Sequence, residues 1–245
     1  MIPKVIHYCW FGGNPLPDKA VECINSWKKY MPEYEIKQWD ETNFNVNIIP
    51  YTTEAYDAKK YAFVSDYARF WILYNYGGVY FDTDVEMIKP IDDIIGRGAF
   101  LGCETDSIRL GGSMPGVAPG LGMGSPKGHE LLMDFLKLYQ SLHFITADGI
   151  NQKTVDQYTT ELLMNYGLKL TASIQLVADT YIYPGEYFGP VSVVSKRLHV
   201  TEQTRTIHHY AASWQSKSTL NSLKSMIRNV LPESFLLFIN KLKNK

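Results

Sequence analysis

The spacing of apolar and polar residues predicts strands and helices in alternation along the first third of the chain. Lys4–Trp10 alternates and is rich in β-branched and aromatic residues, which predicts a first strand. Helical spacing over residues 17–30 is followed by a second strand at Tyr34–Trp39, a long helix at Thr53–Tyr76 and a third strand at Val79–Asp82. This order predicts an α/β domain around a mostly parallel central sheet.

The second half of the chain is more broken. Phe100–Cys103 predicts a strand, and the Gly- and Pro-rich segment Gly111–Gly128 suits a binding loop with a short strand. Amphipathic spacing predicts helices at His129–Leu142 and Thr159–Tyr166. Four more short strands are expected, at Ile174–Val177, Tyr181–Tyr183, Val191–Val194 and Thr206–Tyr210.

Composition and charge narrow the class of protein. The chain has 245 residues, of which 45% are hydrophobic, enough for a single domain with a sizeable core. Its net charge of −1 creates no global field that would attract nucleic acid, so charged ligands need a local patch. The sequence shows no leader and no apolar run of membrane-spanning length, which predicts a cytoplasmic protein. Its three cysteines have unrelated spacings and favour reduced thiols over disulfides or zinc.

An acidic pair follows the third predicted strand, in the stretch YGGVYFDTDV. If the strand continues through the pair, Tyr80, Asp82 and Asp84 share one face, and the two carboxylates converge. Converging carboxylates favour a hard cation such as Mg²⁺ or Mn²⁺. An acidic turn at a strand end explains the same residues, because two Asp residues at this spacing are a weak pattern alone.

The helix before the pair carries two isolated charges. Between Tyr61 and Tyr76 only Asp66 and Arg69 are formally charged, on a helix that is apolar nearly all round and therefore expected to be buried. The two residues stand three apart and can pair. They form either a structural ion pair or a site at which the Arg meets phosphates or hydroxyls and the Asp orients it. Gly77-Gly78 connects this helix directly to the acidic strand.

Together these residues resemble the signature of glycosyltransferase family 32, the DXD sugar-binding proteins. The resemblance rests on Ser65-Asp66-Tyr67-Ala68-Arg69 followed by Tyr76-Gly77-Gly78-Val79-Tyr80-Phe81-Asp82-Thr83-Asp84, an arrangement shared with the glucosylating domains of large clostridial toxins. Three flanking segments also resemble family motifs, namely Ile2–Gly13, Ile182–Phe188 and His208–Trp214. The resemblance implies a GT-A (Rossmann-like) nucleotide-diphospho-sugar transferase fold and retaining transfer from a nucleotide sugar with a divalent metal.

The resemblance also implies a role for each matching residue. Asp84 would be the main metal ligand, Asp82 would contact the donor and the metal, and His209 would complete the metal shell, with His208 beside it. Asp66 would bind hydroxyls of the donor sugar, and Arg69 the sugar or the diphosphate. The remaining donor contacts implied by the resemblance are Trp10, stacked on the base, and Phe11 and Gly12 against the nucleoside, with Tyr80 beside Asp82. Without the resemblance, Trp10 would be read as core. Ser213 and Trp214 either close over the diphosphate as a lid, or Trp214 only anchors the tail.

Two other readings of the acidic pair compete with a transferase. In a haloacid-dehalogenase-like phosphohydrolase Asp82 would attack phosphate, but there the motif normally closes the first strand, and Glu86 stands where Thr or Val is typical. In a non-catalytic sugar- or Ca²⁺-binding module the pair would hold an ion without turnover.

For the transferase that the resemblance implies, a UDP-sugar is the favoured donor, and GDP-mannose is used within the same family.

The end of the chain changes character. Segment 217–245 carries six Lys or Arg residues against Glu233, a net charge of +5. We expect the catalytic domain to occupy residues 1–216 and the tail to form two short basic amphipathic helices split at Pro232. Such a tail suits attachment to the inner face of an anionic membrane, where a lipid-linked glycan acceptor of capsule, exopolysaccharide or O-antigen synthesis would lie. A solvated helix packed on the domain is the alternative.

Overall fold

The computed structural model describes residues 1–104, 116–192, 194–210 and 231–243, and the elements named below belong to these ranges. The strands are β1 Val5–Cys9, β2 Glu35–Trp39, β3 Gly78–Tyr80, β4 Val85–Met87, β5 Phe100–Gly102, β6 Met123–Ser125, β7 Ile145–Thr146, β8 Gly149–Ile150, β9 Gln175–Val177, β10 Thr180–Tyr183 and β11 Thr206–His208. The helices are α1 Asp18–Tyr30, α2 Pro50–Asp57, α3 Tyr61–Tyr76, α4 Asp92–Ile95, α5 Glu130–Gln140, α6 Val155–Asn165, α7 Gly185–Phe188 and α8 Glu233–Lys243.

The main sheet has seven strands among the described residues, in the order β2-β1-β3-β6-β5-β10-β9. Strands β2, β1, β3, β5 and β10 run in one direction, and β6 and β9 run against them. The prediction of a mostly parallel central sheet is therefore confirmed. A second, antiparallel pair joins β4 to β11 and sets Val85 opposite His208.

Two apolar cores lie on the two faces of the main sheet, because side chains alternate along each strand. On β1, Ile6 and Tyr8 belong to the core that contains Trp27 of α1. Cys9 belongs to the other core, in which α3 packs on α5 and the rings of Phe70 and Phe135 stack at 4.4 Å. Helix α3 is therefore covered by α5 on one side and by the sheet on the other, as its all-round apolar sequence predicts.

The long helix predicted at Thr53–Tyr76 is wrong, because the structure has α2 and α3 in its place. Lys59 has a positive φ of 56°, and the Lys60 amide donates to the Ala55 carbonyl at 2.8 Å. This six-to-one hydrogen bond is the Schellman ending of a helix, here with Lys at the position that usually holds Gly. The apolar periodicity continues across the break, which is why it does not reveal the break.

Other elements also differ from the predictions. Helix α6 begins four residues earlier than Thr159, since Thr154 and Gln157 form a capping box at its start. The strand predicted at Val191–Val194 is wrong for the described residues, where Val191 forms only an isolated bridge to Leu198.

The structure describes part of the C-terminal tail. Helix α8 starts directly after Pro232, where the sequence predicts a break, while residues 211–230 lie outside the described part of the chain. None of the helices in the described ranges has both the length and the apolar character needed to cross a bilayer.

Candidate active site

The two charged side chains of α3 meet the first aspartate of the acidic turn. Arg69 Nη2 lies 3.0 Å from Asp66 Oδ1 and 3.2 Å from Asp82 Oδ1. Arg69 Nε donates to the Ser65 carbonyl at 3.1 Å, and its guanidinium carbon lies 5.1 Å from the centre of the Tyr80 ring. Because the Arg69 side chain is only 4% exposed, the guanidinium is fixed in one orientation between two carboxylates.

A tight reversal after α3 brings Asp82 to Arg69. Gly77 ends the helix with a φ of 67°, and its amide donates to the Leu73 carbonyl. A β-carbon on Gly77 would lie 2.7 Å from the Lys127 amide nitrogen, so glycine is required both for the turn and for the close approach. The Gly77 carbonyl lies 2.9 Å from Nε2 of the buried His7, which fastens the turn to β1.

Asp82 is held from three directions. The Tyr80 hydroxyl donates to Asp82 Oδ1 at 3.1 Å, and the Asp82 amide donates to the Gly120 carbonyl at 3.0 Å. A β-carbon on Gly120 would lie 2.0 Å from Asp82 Oδ2. The carboxylate therefore rests directly on the Gly120 backbone, and its side chain is still 31% exposed.

The acidic pair lies in a turn rather than along a strand, so the prediction that Tyr80, Asp82 and Asp84 share one strand face is wrong. Strand β3 ends at Tyr80, and the Val85 amide donates to the Asp82 carbonyl at 3.1 Å to close the turn. Trp27 Nε1 of α1 donates to the Val85 carbonyl at 2.7 Å, which ties the end of the turn to α1. The two carboxylates consequently have different partners.

Asp84 contacts a histidine from the far end of the sequence. Its Oδ1 lies 3.0 Å from His208 Nε2, and the His209 amide donates to its carbonyl at 3.0 Å. The His209 ring points elsewhere, with Nε2 2.8 Å from Glu86 Oε2. Neighbouring residues in an extended segment face opposite sides, which explains why the two imidazoles diverge. For the metal-ligand prediction at His209, the structure therefore offers His208 as the imidazole that faces Asp84.

The site carries more negative than positive charge. Burial raises the pKa of Asp66 to about 7, with Arg69 opposing and Asp82 adding to the rise. Burial likewise raises the pKa of Asp156, at the start of α6, to about 8, and the charges of Glu104, Asp66 and Asp82 add to this while Arg69 opposes it. For His208, burial disfavours the imidazolium, but the hydrogen bond and charge of Asp84, together with the charges of Asp82 and Asp156, outweigh burial and raise the pKa of His208. A bound cation would relieve this surplus of negative charge.

The donor set of the turn suits a divalent metal that is completed by a ligand. In the described ranges, no three His, Cys, Asp or Glu side chains are grouped into a complete metal site. Asp84 and His208 provide one carboxylate oxygen and one imidazole nitrogen, donors that Mn²⁺ accepts. An ion held by two protein ligands leaves positions open for phosphate oxygens. The residues present therefore fit a metal that binds together with a diphosphate.

The end of β1 approaches the same place. Burial raises the pKa of the Cys9 thiol to about 12. The charge of Arg69 opposes this rise, and the charges of Asp82 and Asp66 add to it. Next to Cys9, Trp10 is half-buried, and its Nε1 donates to the Asn14 carbonyl at 2.6 Å. The Trp10 ring is thus partly exposed, and it packs against the core that contains Trp27 rather than the core that contains Cys9.

The other predicted donor contacts differ in accessibility. Phe11 is buried and packs against Phe44 with ring centres 5.7 Å apart. The Gly12 amide donates to Glu41 Oε1 at 2.6 Å, and a β-carbon at Gly12 would meet the Tyr61 ring. Ser213 and Trp214 lie outside the described residues.

The sequence gives no sign of the contact of Gly120 with Asp82, and for Asp156 it leaves open an acceptor-side polar role or a solvated loop position. A glycine in a Gly- and Pro-rich loop carries no individual signal. Asp156 looks like an ordinary first-turn acid of a capped helix, and only the fold shows that the charges of Asp66 and Asp82 reach it.

Comparison with known proteins gives a family match over part of the chain and a likeness of fold. Residues 17–101 match the family described as "Glycosyltransferase sugar-binding region containing DXD motif". The chain is similar to "Inositol phosphoceramide mannosyltransferase 3" of Schizosaccharomyces pombe, at 30% identity over 140 residues that cover 56% of this chain and 36% of the relative. It is also similar to "Inositol phosphoceramide mannosyltransferase 1" of the same yeast, at 27% identity over 173 residues that cover 66% of this chain and 48% of the relative. The chain spans less than half the length of both relatives.

Among solved structures, the chain resembles the "PaToxG Glycosyltransferase", with a TM-score of 0.51 and 19% identity over 67% of this chain and 69% of the other. This likeness shows the fold, which is the expected GT-A fold. The match over residues 17–101 includes Asp66, Arg69, Asp82 and Asp84. Over residues 17–101, the chain is therefore similar to the glycosyltransferases that contain a DXD sugar-binding region.

Proposed function

We propose that the chain is a metal-dependent, retaining glycosyltransferase that moves a hexose from a nucleotide sugar to a glycan acceptor. The observation that carries the proposal is the Arg69 guanidinium, fixed between Asp66 and Asp82, with Asp84 and its partner His208 following two residues after Asp82. A buried cation and a two-ligand metal position next to each other suit a leaving diphosphate, whose charge must be neutralised as the glycosidic bond breaks.

Arg69 and the two carboxylates beside it, Asp66 and Asp82, divide the work on the donor. Arg69 supplies fixed positive charge towards the sugar or the diphosphate, while Asp66 accepts hydrogen bonds from sugar hydroxyls. Asp82, which is partly exposed although held by Tyr80 and Arg69, can contact the donor and the metal from one carboxylate. The fixed geometry reduces the reorganisation that the transition state would otherwise require.

Asp84 and His208 are the proposed protein ligands of a Mn²⁺ or Mg²⁺ ion. When bound, the ion supplies Lewis-acid assistance to the departing diphosphate. The original expectation for His209 is replaced in the proposal, because the His209 imidazole bonds to Glu86 and the His208 imidazole to Asp84.

Trp10 is the proposed stacking platform for the nucleobase, with the backbone of Gly12 alongside. The partial exposure of the ring at the end of β1 supports this role, whereas the Phe11 side chain is better explained as core. Ser213 and Trp214 remain the proposed lid.

Retention at the anomeric carbon follows in the proposal from attack on the face that the diphosphate leaves. The departing diphosphate would accept the proton of the acceptor hydroxyl, so no enzymic nucleophile is required. Glycosyl transfer of this kind passes through an oxocarbenium-like state, which nearby carboxylates stabilise.

The donor and acceptor are proposed by class. UDP-hexoses are the favoured donors, and the names of the yeast relatives, which are mannosyltransferases, support GDP-mannose as the second donor to test. Those names also support a lipid-linked acceptor, at the surface of an anionic membrane that the basic tail would contact. Such an enzyme would serve capsule, exopolysaccharide or O-antigen synthesis.

The test is donor cleavage and transfer from a panel of UDP-hexoses and GDP-mannose, with Mn²⁺, Mg²⁺ or chelator. We expect metal-dependent turnover by the wild type and a loss of about a hundredfold or more in Asp84→Asn. Asp148→Asn, at an exposed position of the β7–β8 turn, is the matched control and should turn over normally. If wild type and Asp84→Asn cleave donors equally slowly while phosphate esters are hydrolysed, the protein is a phosphohydrolase. Donor binding without turnover would indicate a binding module.

A further inference from the structure

Helix α8 presents a stripe of large apolar side chains to solvent. Phe235, Phe238 and Leu242 are 47%, 58% and 57% exposed. Their spacing of three and four residues places them on one face of the helix. Single exposed apolar residues are common on protein surfaces, whereas exposed Phe side chains grouped on one helix face indicate an interaction surface.

The start of α8 is fixed to the domain by polar contacts. Glu233 Oε1 accepts a hydrogen bond from Ser195 Oγ at 2.7 Å and lies 2.9 Å from His199 Nε2. Arg197 Nη2 donates to the Leu231 carbonyl at 2.8 Å. These contacts hold the first turn of α8 against the segment before β11, so the stripe has a set orientation relative to the strand that carries His208.

The sequence around the stripe is basic. Segment 217–245 has a net charge of +5, and Glu233, its single acidic residue, is engaged in the contacts just described. An apolar stripe in a basic segment complements an anionic lipid surface, where apolar burial and charge attraction add. A protein partner of opposite charge would need matching directional contacts, and the stripe carries only apolar groups.

We propose that Phe235, Phe238 and Leu242 form a membrane-docking stripe, which inserts into an anionic bilayer and holds the domain in one orientation. The proposal rests on the proposed function for its purpose, since it would place the active site at the surface of a lipid-linked acceptor. It differs from attachment by a loose basic tail, because binding then depends on specific apolar side chains of a helix fixed to the domain.

The experiment is flotation of the full-length protein with vesicles of phosphatidylcholine alone and with vesicles that also contain phosphatidylglycerol. We expect binding to the anionic vesicles that weakens with salt, and a decrease of about tenfold in partitioning for Phe235→Ser/Phe238→Ser. Leu176→Ser is the matched control, because Leu176 is 57% exposed on edge strand β9, and it should bind like the wild type. Circular dichroism checks that each variant is folded.

Equal flotation of the double variant and the wild type overturns the proposal. If instead the wild type forms dimers without vesicles and the double variant is monomeric, the stripe is a contact between copies, which also overturns it. Donor cleavage without vesicles separates this proposal from the proposed function, since the double variant should keep that activity. Flotation without donor cleavage would leave the docking stripe standing while refuting the transferase.

Discussion

At the scale of single residues, one guanidinium serves two carboxylates that lie in different surroundings. Asp66 is almost enclosed, whereas Asp82 is partly open to solvent and rests on Gly120. Removing the cation would leave both acids without the partner that offsets their burial.

We therefore expect Arg69→Ala to lower the free energy of unfolding by about 3–5 kcal/mol, since it leaves a buried carboxylate unpaired. The triple variant Asp66→Asn/Arg69→Met/Asp82→Asn removes the charges together and should recover most of that loss. Urea unfolding of both proteins checks this expectation. Equal destabilisation of the two would show that packing, rather than charge, sets the cost.

The two adjacent histidines allow a direct comparison. We expect His208→Ala to raise the Mn²⁺ concentration for half-maximal donor cleavage by about tenfold or more, because it removes an imidazole that faces Asp84. His209→Ala removes an imidazole that faces Glu86 and should change that concentration much less. The reverse order of effects would return the role of metal ligand to His209.

At the scale of elements, the loop before β6 shapes the site through its backbone. Gly120→Ala should reduce donor cleavage by about a hundredfold, because the new methyl group would occupy the position of Asp82 Oδ2 and displace the carboxylate. Gly96→Ala is the matched control, as its β-carbon would meet its nearest neighbour, the Asp92 carbonyl oxygen, only at 3.2 Å. Steady-state kinetics with circular dichroism checks both, and normal cleavage by Gly120→Ala would place the donor elsewhere.

The junction of β1, β2 and the end of α3 depends on a neutral histidine. Burial lowers the pKa of His7 to about 4, and its two ring nitrogens are engaged by the Gly77 carbonyl and by Trp39 Nε1. The unfolded chain binds this proton near pH 6.5, so the stabilising contribution is complete above that pH and is lost as the pH falls towards 4. The total loss should be about 3 kcal/mol.

The measurement is the free energy of unfolding of wild type and His7→Gln between pH 4 and pH 7. Asp66, with its raised pKa, changes stability in the opposite direction over this range and is common to both proteins. The difference between the two curves isolates His7, and it should narrow as the pH falls. Parallel curves would exclude His7 as the cause.

Local sequence signals predicted those elements whose stability depends on nearby residues. The apolar face of α1, its end at Met31, and the glycine cap of α3 are all readable from spacing and residue type. The αL conformation of Lys59 cannot be predicted in this way, because lysine rarely adopts it. The end of β3 at Tyr80 depends on the turn that α1 supports through Trp27, a contact between residues 58 apart in sequence.

The residues of the candidate site likewise differ in whether the local sequence can predict them. The sequence identifies Asp66, Arg69, Asp82 and Asp84 as charges out of place in an apolar region. Which histidine faces Asp84 depends on the register of β11 on β4, and this pairing over more than a hundred residues has no local signal.

At the scale of the whole molecule, residues 17–101 carry the family match but not a complete sheet. Strand β6 lies between β3 and β5 and is needed to join them. We expect a fragment of residues 1–101 to lack cooperative unfolding in urea when followed by circular dichroism, while the full chain unfolds cooperatively. A cooperative transition in the fragment would show that β6 is dispensable.

The pairing of β4 with β11 also has a consequence for the order of events during synthesis. Asp84 leaves the ribosome long before His208, so a nascent chain holds the acidic turn well before the imidazole that would complete its proposed metal position. Ribosome-stalled chains of increasing length should therefore acquire Mn²⁺-dependent nucleotide binding only after β11 has emerged from the exit tunnel. Binding by shorter chains would mean that the acidic turn binds the donor without the histidine. If only the longer chains bind, β11 delays donor binding until nearly all of the domain has been synthesised.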